Sequence, residues 1–583
     1  MRILKKMLSL AAFASITLNA LASDMIVYNG KIATYNGNTF TAFSVTNGRF
    51  DKLSYDDTEL LQNKTASTIV INAQGRRVIP GLNDSHLHVV RGGRFYNLET
   101  RWEGLDSLAA GLDLIKQNAK ITPEGQWVRV IGGFSPYQFK EKRLPTSREL
   151  TDAAPNTPVF ILHLYSGGVL NKKGMEVLGI TKHSVAPQGS YYGKDADGEL
   201  TGRLIADPNP MILYQTIAAL PQMSGAEQLN SSKQFYTTLL SLGVTSVIDA
   251  GGGGHAFPEN YRASAALAAN GELPIRVSNY LFPQTPGKEL QSFEKWMDNY
   301  TSNQNSHTHM DNGYVIEGGG ELLAWKASDY ENFTSNRPEL AADAEQTLEE
   351  VVRLHLHNEW PFRIHATYDE SIERMLTLFE DINETQPLAK VRWIIDHAET
   401  VSDKNLRRIK NLGGAIAVQG RMAFAGEDFA NRYGKAQTKR TPPMRKIVEM
   451  GIPIGFGTDG TRVASFNPWA TYYWAVSGKT VGGYTLYDEE NTLDRLTALE
   501  IFTNGSAYFS GEERVKGKIE QGMYADFAIM NHDILTVAES ELLHTQSELT
   551  VVDGKVKFAS KSSYPALHKP IGQAIPLWSP VNQ

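Results

Sequence analysis

A chain of 583 residues with a 41% hydrophobic fraction has apolar surface enough for more than one core, which excludes wholesale disorder. Its formal charge of −7 is mild and no Lys/Arg cluster stands out, so it offers no basic field to nucleic acid. There is no cysteine, which excludes disulfides, a lipoprotein anchor, a cysteine nucleophile and thiolate metal sites together.

The N-terminus reads as an export signal. Arg2, Lys5 and Lys6 precede the uncharged "MLSLAAFASITLNALA", which ends in the small-x-small pattern Ala20-Leu21-Ala22. The run is short for a membrane span, and cleavage after Ala22 predicts a periplasmic or secreted protein with no membrane attachment. Losing 1–22 removes three positive charges and no acid, leaving about −10.

Residues 23–77 hold short β-type runs separated by Asn-Gly turns, such as "MIVYNGKIATYNG" and "AFSVTNGRFDKLS". The stretch 511–583 repeats that habit in "ADFAIMNHD" and "LTVVDGKVKFAS", so the two ends predict one small β-sandwich, followed by a C-terminal tail. Between them, over 78–510, apolar strand-like runs alternate with helical patterns. The runs are "RVIPGLNDS", "VTSVIDAG", "PIRVSNYLF", "GYVIEGG", "PFRIHA", "VRWIIDHA", "GAIAVQ" and "PIGFGTDG". Eight such units predict an α/β fold, a (β/α)8 barrel whose functional residues lie at the C-terminal ends of its strands. About 150 residues separate the first two runs, far beyond an ordinary crossover, so about 95–235 reads as an insertion over the barrel mouth.

Three H-x-H pairs compete as metal sites. His355 and His357 fall in a helical pattern, where residues two apart point in different directions. His307 and His309 lie in the polar stretch "NQNSHTHMDNG", which reads as a solvent-exposed loop. His86 and His88 follow a buried strand pattern, and on a strand both imidazoles share a face with each other and with Asp84. On its own a strand-end pair is more often two satisfied polar side chains. Three further runs also end in a possible ligand, at His365, His397 and Asp459, and a barrel would bring all five together. The glycine-rich "GGGGH" and "EGGGE" lack the spacing of phosphate loops, and no G-x-S-x-G elbow appears.

With "VIPGLNDSHLH", "LGVTSVIDAG", "RIHA", "IIDHAE", "GFGTDG" and "GKIEQGMYADFAIMNHD" in hand, the chain resembles the amidohydrolase superfamily. It is most similar to the large branch that includes N-substituted formamide deformylase. The resemblance covers nearly the whole mature chain and is far more specific for superfamily than for substrate. It implies His86, His88, His365, His397 and Asp459 as metal ligands. The family often places a bridging carboxylated lysine, Glu or Cys on the fourth strand. Here that strand is "GYVIEGGGELLAWK", with Glu317 as the best-placed carboxylate and Glu321 and Lys326 behind it. If Glu317 is instead an ordinary strand-end acid, one ion binds rather than two.

An all-nitrogen-and-oxygen set suits a divalent metal, Zn²⁺ first, with Fe, Mn or Co able to fit. Such an ion lowers the pKa of its water from 15.7 to roughly 7. Asp459 has a second candidate role, moving the proton from water to the leaving group. Asp396 and Glu399 flank His397 and are placed to orient its ring, and His255 after the second strand is placed to meet substrate. The expected function is hydrolysis of a non-peptide C–N bond in a small molecule, an amide, cyclic amide or N-acyl compound. The alternatives are an ester or lactone hydrolase on the same site, or an inactive binding member of the fold. Homo-oligomers are common in the family.

Overall fold

The structure is a computed structural model that describes residues 23–302 and 311–583. The leader 1–22 and the pair His307 and His309 lie outside the described residues.

All eight predicted runs contribute strands to one parallel sheet. In chain order these are β1 (Leu82–Leu87), β2 (Val244–Asp249), β3 (Arg276–Leu281) and β4 (Tyr314–Gly319). They continue with β5 (Phe362–Ala366), β6 (Trp393–His397), β7 (Ala415–Gln419) and β8 (Ile454–Gly457). Each strand pairs with its sequence neighbour in order from β1 to β8, the pattern of a (β/α)8 barrel. The ring closes just beyond β8, where Asp459 N donates to His86 O at 2.9 Å and His88 N to Gly460 O at 3.1 Å. Asp84 adds to this seam by accepting from Thr458 Oγ1 at 2.6 Å.

The two-residue period of a strand sorts side chains into layers. On β6, Ile394 points into the barrel, where it packs with Ile248, Tyr280, Ala417 and Phe509, while Ile395 faces the helices. One step up, Asp396 meets Arg363 of β5 inside the barrel, with Arg363 Nε donating to Asp396 Oδ2 at 2.8 Å. The imidazoles form the layer above. The barrel is therefore apolar low down, ionic in the middle and ligand-bearing at its mouth.

The first run does not form a single strand. Arg77–Pro80 belongs to a separate six-stranded sheet, pairing with Lys31–Ala33 on one side and Phe527–Met530 on the other, and only after Gly81 does the chain enter the barrel. A four-stranded sheet built wholly from 25–72 packs against that six-stranded one. Phe43, Phe50 and Phe527 meet between them, with ring centroids 5.0–5.1 Å apart for Phe43 and its two neighbours. The inserted segment carries a five-stranded sheet over 128–206 and the helix Met211–Ala218. The tail returns to the barrel, where Ser579 Oγ donates to Asn97 O at 2.6 Å.

Candidate metal centre and cavity

His86, His88, His365, His397 and Asp459 converge at the barrel mouth, all buried. The sixth member is Glu321. Its Oε2 lies 3.0 Å from His365 Nδ1, 3.0 Å from His397 Nε2 and 3.6 Å from His86 Nε2, and its Oε1 is 3.5 Å from His88 Nε2. Asp459 Oδ1 stands 3.2 Å from His88 Nε2 and 3.6 Å from His86 Nε2. Among the described residues these six give three overlapping triads of ligand atoms close enough to hold an ion. They are His86–His88–Glu321, His86–His397–Asp459 and Glu321–His365–His397.

Glu317 is elsewhere, which corrects its expected place among the ligands. It points inward from the middle of β4, too low to reach the mouth, and Arg392 Nη1 holds its Oε1 at 3.0 Å. Glu321 has the same parity but sits two residues beyond the strand end. The chain reaches it through Gly320, whose φ of +120° suits glycine and whose position leaves no room for a Cβ, which would lie 2.1 Å from Arg363 O. Lys326 points to solvent beside Asp343, so it is not a bridging lysine either.

Two of the imidazoles are held by partners behind them. His86 Nδ1 donates to Asp396 Oδ1 at 3.0 Å and His88 Nδ1 donates to Gly251 O at 2.7 Å, so both rings turn Nε2 toward the centre. His86 Nε2 has no hydrogen-bond partner although it is fully buried. Asp396 thus orients His86, not His397 as its place in the sequence suggests. Glu399 is ion-paired to Arg421 at 2.6 Å, which is also paired to Glu331 at 2.7 Å. His397 reaches the centre because the β6 twofold period breaks there: His397 and Ala398 have φ of 80° and 54°.

Burial and neighbouring charge set the protonation of these groups. Burial opposes the ionised form of Glu321 and of Asp459, yet the surrounding imidazoles hold both carboxyls well below their ordinary values. For His365, burial is outweighed by the Glu321 and Asp329 carboxylates, which push it up to about 9. His88 is lowered, by burial first and then by Arg91.

A cavity of about 620 Å³ opens above the cluster. The barrel loops line it with Phe282, Trp325 and Tyr330, and the insertion adds Tyr165, Met211 and Tyr214. His255 is in its wall, buried, with Nδ1 2.7 Å from Arg94 Nη1. Tyr137 lies outside this lining, its hydroxyl donating to Asp428 at 2.7 Å. The other histidine pair within the described residues is split, with His355 buried and His357 exposed on one helix.

A centre of imidazoles and carboxylates at the mouth of a parallel barrel defines the class of metal-dependent hydrolases. The amidohydrolase family model matches residues 69–558, and the chain belongs to that family as a metal-dependent amidohydrolase, an enzyme acting on carbon–nitrogen bonds. It is 24% identical over 566 residues to an N-substituted formamide deformylase of Arthrobacter pascens, covering 93% of this chain and 99% of the relative. In fold it is similar to an uncharacterized metal-dependent hydrolase of Pyrococcus horikoshii OT3 (TM-score 0.62, 22% identity, 88% of this chain and 99% of that one). A second fold match is an atrazine chlorohydrolase of Arthrobacter aurescens TC1 complexed with zinc (TM-score 0.51, 14% identity, 91% and 94%).

Proposed function

We propose that this enzyme hydrolyses an amide, cyclic amide or N-acyl bond of a small molecule, using one or two divalent metal ions, zinc first. The observation that carries the reading is the closure of four imidazoles and two carboxylates on one point of the cavity floor, with His86 Nε2 buried and unpartnered. The set fits a zinc-type ion: all donors are nitrogen or oxygen, and the second nitrogens of His86 and His88 are tied to Asp396 and Gly251. His86, His88, His365, His397, Glu321 and Asp459 would hold it, and Glu321, facing all four imidazoles, is the one placed to be shared by two ions. When bound, such an ion supplies an acidified water and polarises a carbonyl.

The protein's own groups do the rest. Asp459, kept ionised, accepts a proton from the attacking water as its oxygen bonds to the carbonyl carbon. It returns that proton to the leaving nitrogen as the C–N bond breaks, giving an acid and an amine. The Arg363–Asp396 pair fixes the His86 tautomer, and the aromatic wall gives the substrate an apolar surface beside the reacting bond. The formamide deformylase activity in one relative's name and the zinc bound in one structural neighbour support this reading.

Metal analysis of the purified protein, paired with a panel of amides and esters, tests it. Stoichiometric metal and amide turnover are expected; protein without metal, or turnover confined to esters, would overturn it. We propose also that 1–22 is removed on export, so that protein recovered from periplasm or medium begins at Ser23 by N-terminal sequencing.

A further inference from the structure

Three of the four arginines that line the cavity have no acid of their own, while the fourth, Arg421, is paired with Glu331 and Glu399. Arg91, Arg94 and Arg462 all line it and all are buried. Their placement follows from the sequence. The helix Val89–Phe95 leaves His88 directly, and its Gly92 and Gly93 lie flat against the helix Gly225–Ser241, where a Cβ would come within 2.6 Å of Phe235 and 2.9 Å of Ser232. With that face committed to packing, Arg91 and Arg94, one turn apart, face the cavity. Arg462 arrives from the other side, three residues beyond Asp459, and stacks over the Tyr214 ring at 5.4 Å.

None of the three has an ion-pair partner within 4 Å among the described residues. Arg91 Nε and Nη2 and Arg462 Nε and Nη1 have no hydrogen-bond partner, and His255 Nε2 between them has none. The Tyr165 hydroxyl is the polar neighbour that Arg91 and Arg462 share. The acids whose charge reaches this corner are already engaged. Glu99 lines a small neighbouring cavity with Arg91 and Arg462 but is paired with Arg101 at 2.7 Å, Asp249 accepts from Val90 N and the Tyr261 hydroxyl, and Asp459 faces His88. A buried guanidinium left without an anion is costly, and its planar fork of donors matches a carboxylate or phosphate. Arg91 shares the cavity with His88 and Asp459 and comes up beside the Nδ1 side of the His88 ring, where a point next to Gly252 lies 3.4 Å from His88 Nδ1 and 3.6 Å from Arg91 Nη1.

We propose that the substrate is an amide bearing an oxyanion, carboxylate-sized, which Arg91 and Arg462 hold with Tyr165 while the scissile bond lies over His88 and Asp459. This deepens the hydrolase reading and rests on it. The aromatic wall formed by Tyr214, Phe282, Trp325 and Tyr330 then takes an apolar substituent, as in an N-acyl derivative of an aromatic or aliphatic amino acid.

Calorimetric titration of the purified, metal-loaded protein with three probes tests the charge directly. They are racemic N-acetyl-phenylalanine, its primary carboxamide and its phosphonate analogue. The acid is expected to bind at least about 10-fold tighter than the carboxamide, with the advantage falling below about 3-fold in Arg91→Met and Arg462→Met and partly kept in Arg462→Lys. Phosphonate binding equal to the acid would make the site general for oxyanions; weaker phosphonate binding would make it a carboxylate site. Tyr165→Phe, which keeps both guanidiniums, carries the test if a methionine variant fails to fold, with a several-fold loss expected for the acid alone. Equal affinities, an advantage surviving both methionine substitutions, or binding of no probe would overturn the proposal. Amine release is followed separately. Charge-dependent binding without turnover would sink the hydrolase reading alone, and equal turnover of acid and amide in all variants would sink this inference alone.

Discussion

The barrel holds buried charge at both ends, and the two ends are wired differently. Toward the N-terminal ends of the strands buried charges meet opposite charges: Glu317 with Arg392 at 3.0 Å, Arg276 with Asp526 at 2.9 Å, Lys516 with Glu512. At the mouth only Arg421 is matched, by Glu331 and Glu399; two carboxylates are shared among four imidazoles, and the other three cavity arginines have no ion-pair partner among the described residues. Matched pairs neutralise themselves and leave nothing for a ligand to do. Unmatched donors and acceptors, held in place by partners behind them, are where binding energy is to be gained.

Exchanging the two glutamates of the fourth-strand segment breaks the comparison most sharply. Glu321→Gln is expected to lose stoichiometric metal and about 10³-fold or more in turnover, whereas Glu317→Gln keeps both within a few-fold; metal analysis and kinetics read this. Loss of metal in Glu317→Gln would erase the distinction between the ends. Asp459→Asn comes next, with turnover down about 10²–10⁴-fold and most of the metal retained. Equal losses of metal and turnover would reduce Asp459 to a ligand.

At the paired end the expected effects are on stability. Arg392→Met leaves Glu317 buried without its cation and should cost about 3 kcal/mol in denaturant unfolding, with metal content unchanged. The smallest effect belongs to Glu427, a buried carboxyl to which Thr480 Oγ1 donates at 2.6 Å. Burial pushes it up to about 7. Because the unfolded chain releases this proton near the ordinary value of 4.5 and the folded chain holds it to about 7, ionisation costs stability as pH rises between those values. Glu427→Gln should therefore gain on wild type by about 1–3 kcal/mol from pH 5 to pH 8, and a pH-independent difference would refute the assignment.

The barrel and most of its mouth were legible because four strands end directly in a candidate ligand, as "RIHA" and "GFGTDG" do. In the sequence Glu321 ranks behind Glu317, because it lies past the end of β4 behind Gly318, Gly319 and Gly320, while Glu317 sits within the strand at the same parity. The glycine run itself was the available signal, since a strand that sheds its side chains can press against its neighbour and carry the next residue to the rim. The partners of the imidazoles were half readable. Asp396 adjoins His397 in sequence, but a period-two strand sends neighbours to opposite faces, and only the positive φ at His397 puts both inside. Arg91 and Arg462 carry no pattern at all; their meaning is the lack of a partner, which needs three dimensions. So does the role of Gly81, where one apolar run is shared between two sheets.

The strand Arg77–Pro80, which opens that run, also governs the order in which the molecule can be finished. One of its neighbours is made earlier, at Lys31–Ala33, and the other, Phe527–Met530, is about 450 residues downstream. The six-stranded sheet thus stays incomplete until nearly the whole chain has been synthesised, with the edge of Arg77–Pro80 unpaired throughout. Until that late strand arrives, the edge is open to pairing with other chains, so this architecture is most exposed to misassembly before its last strands are made.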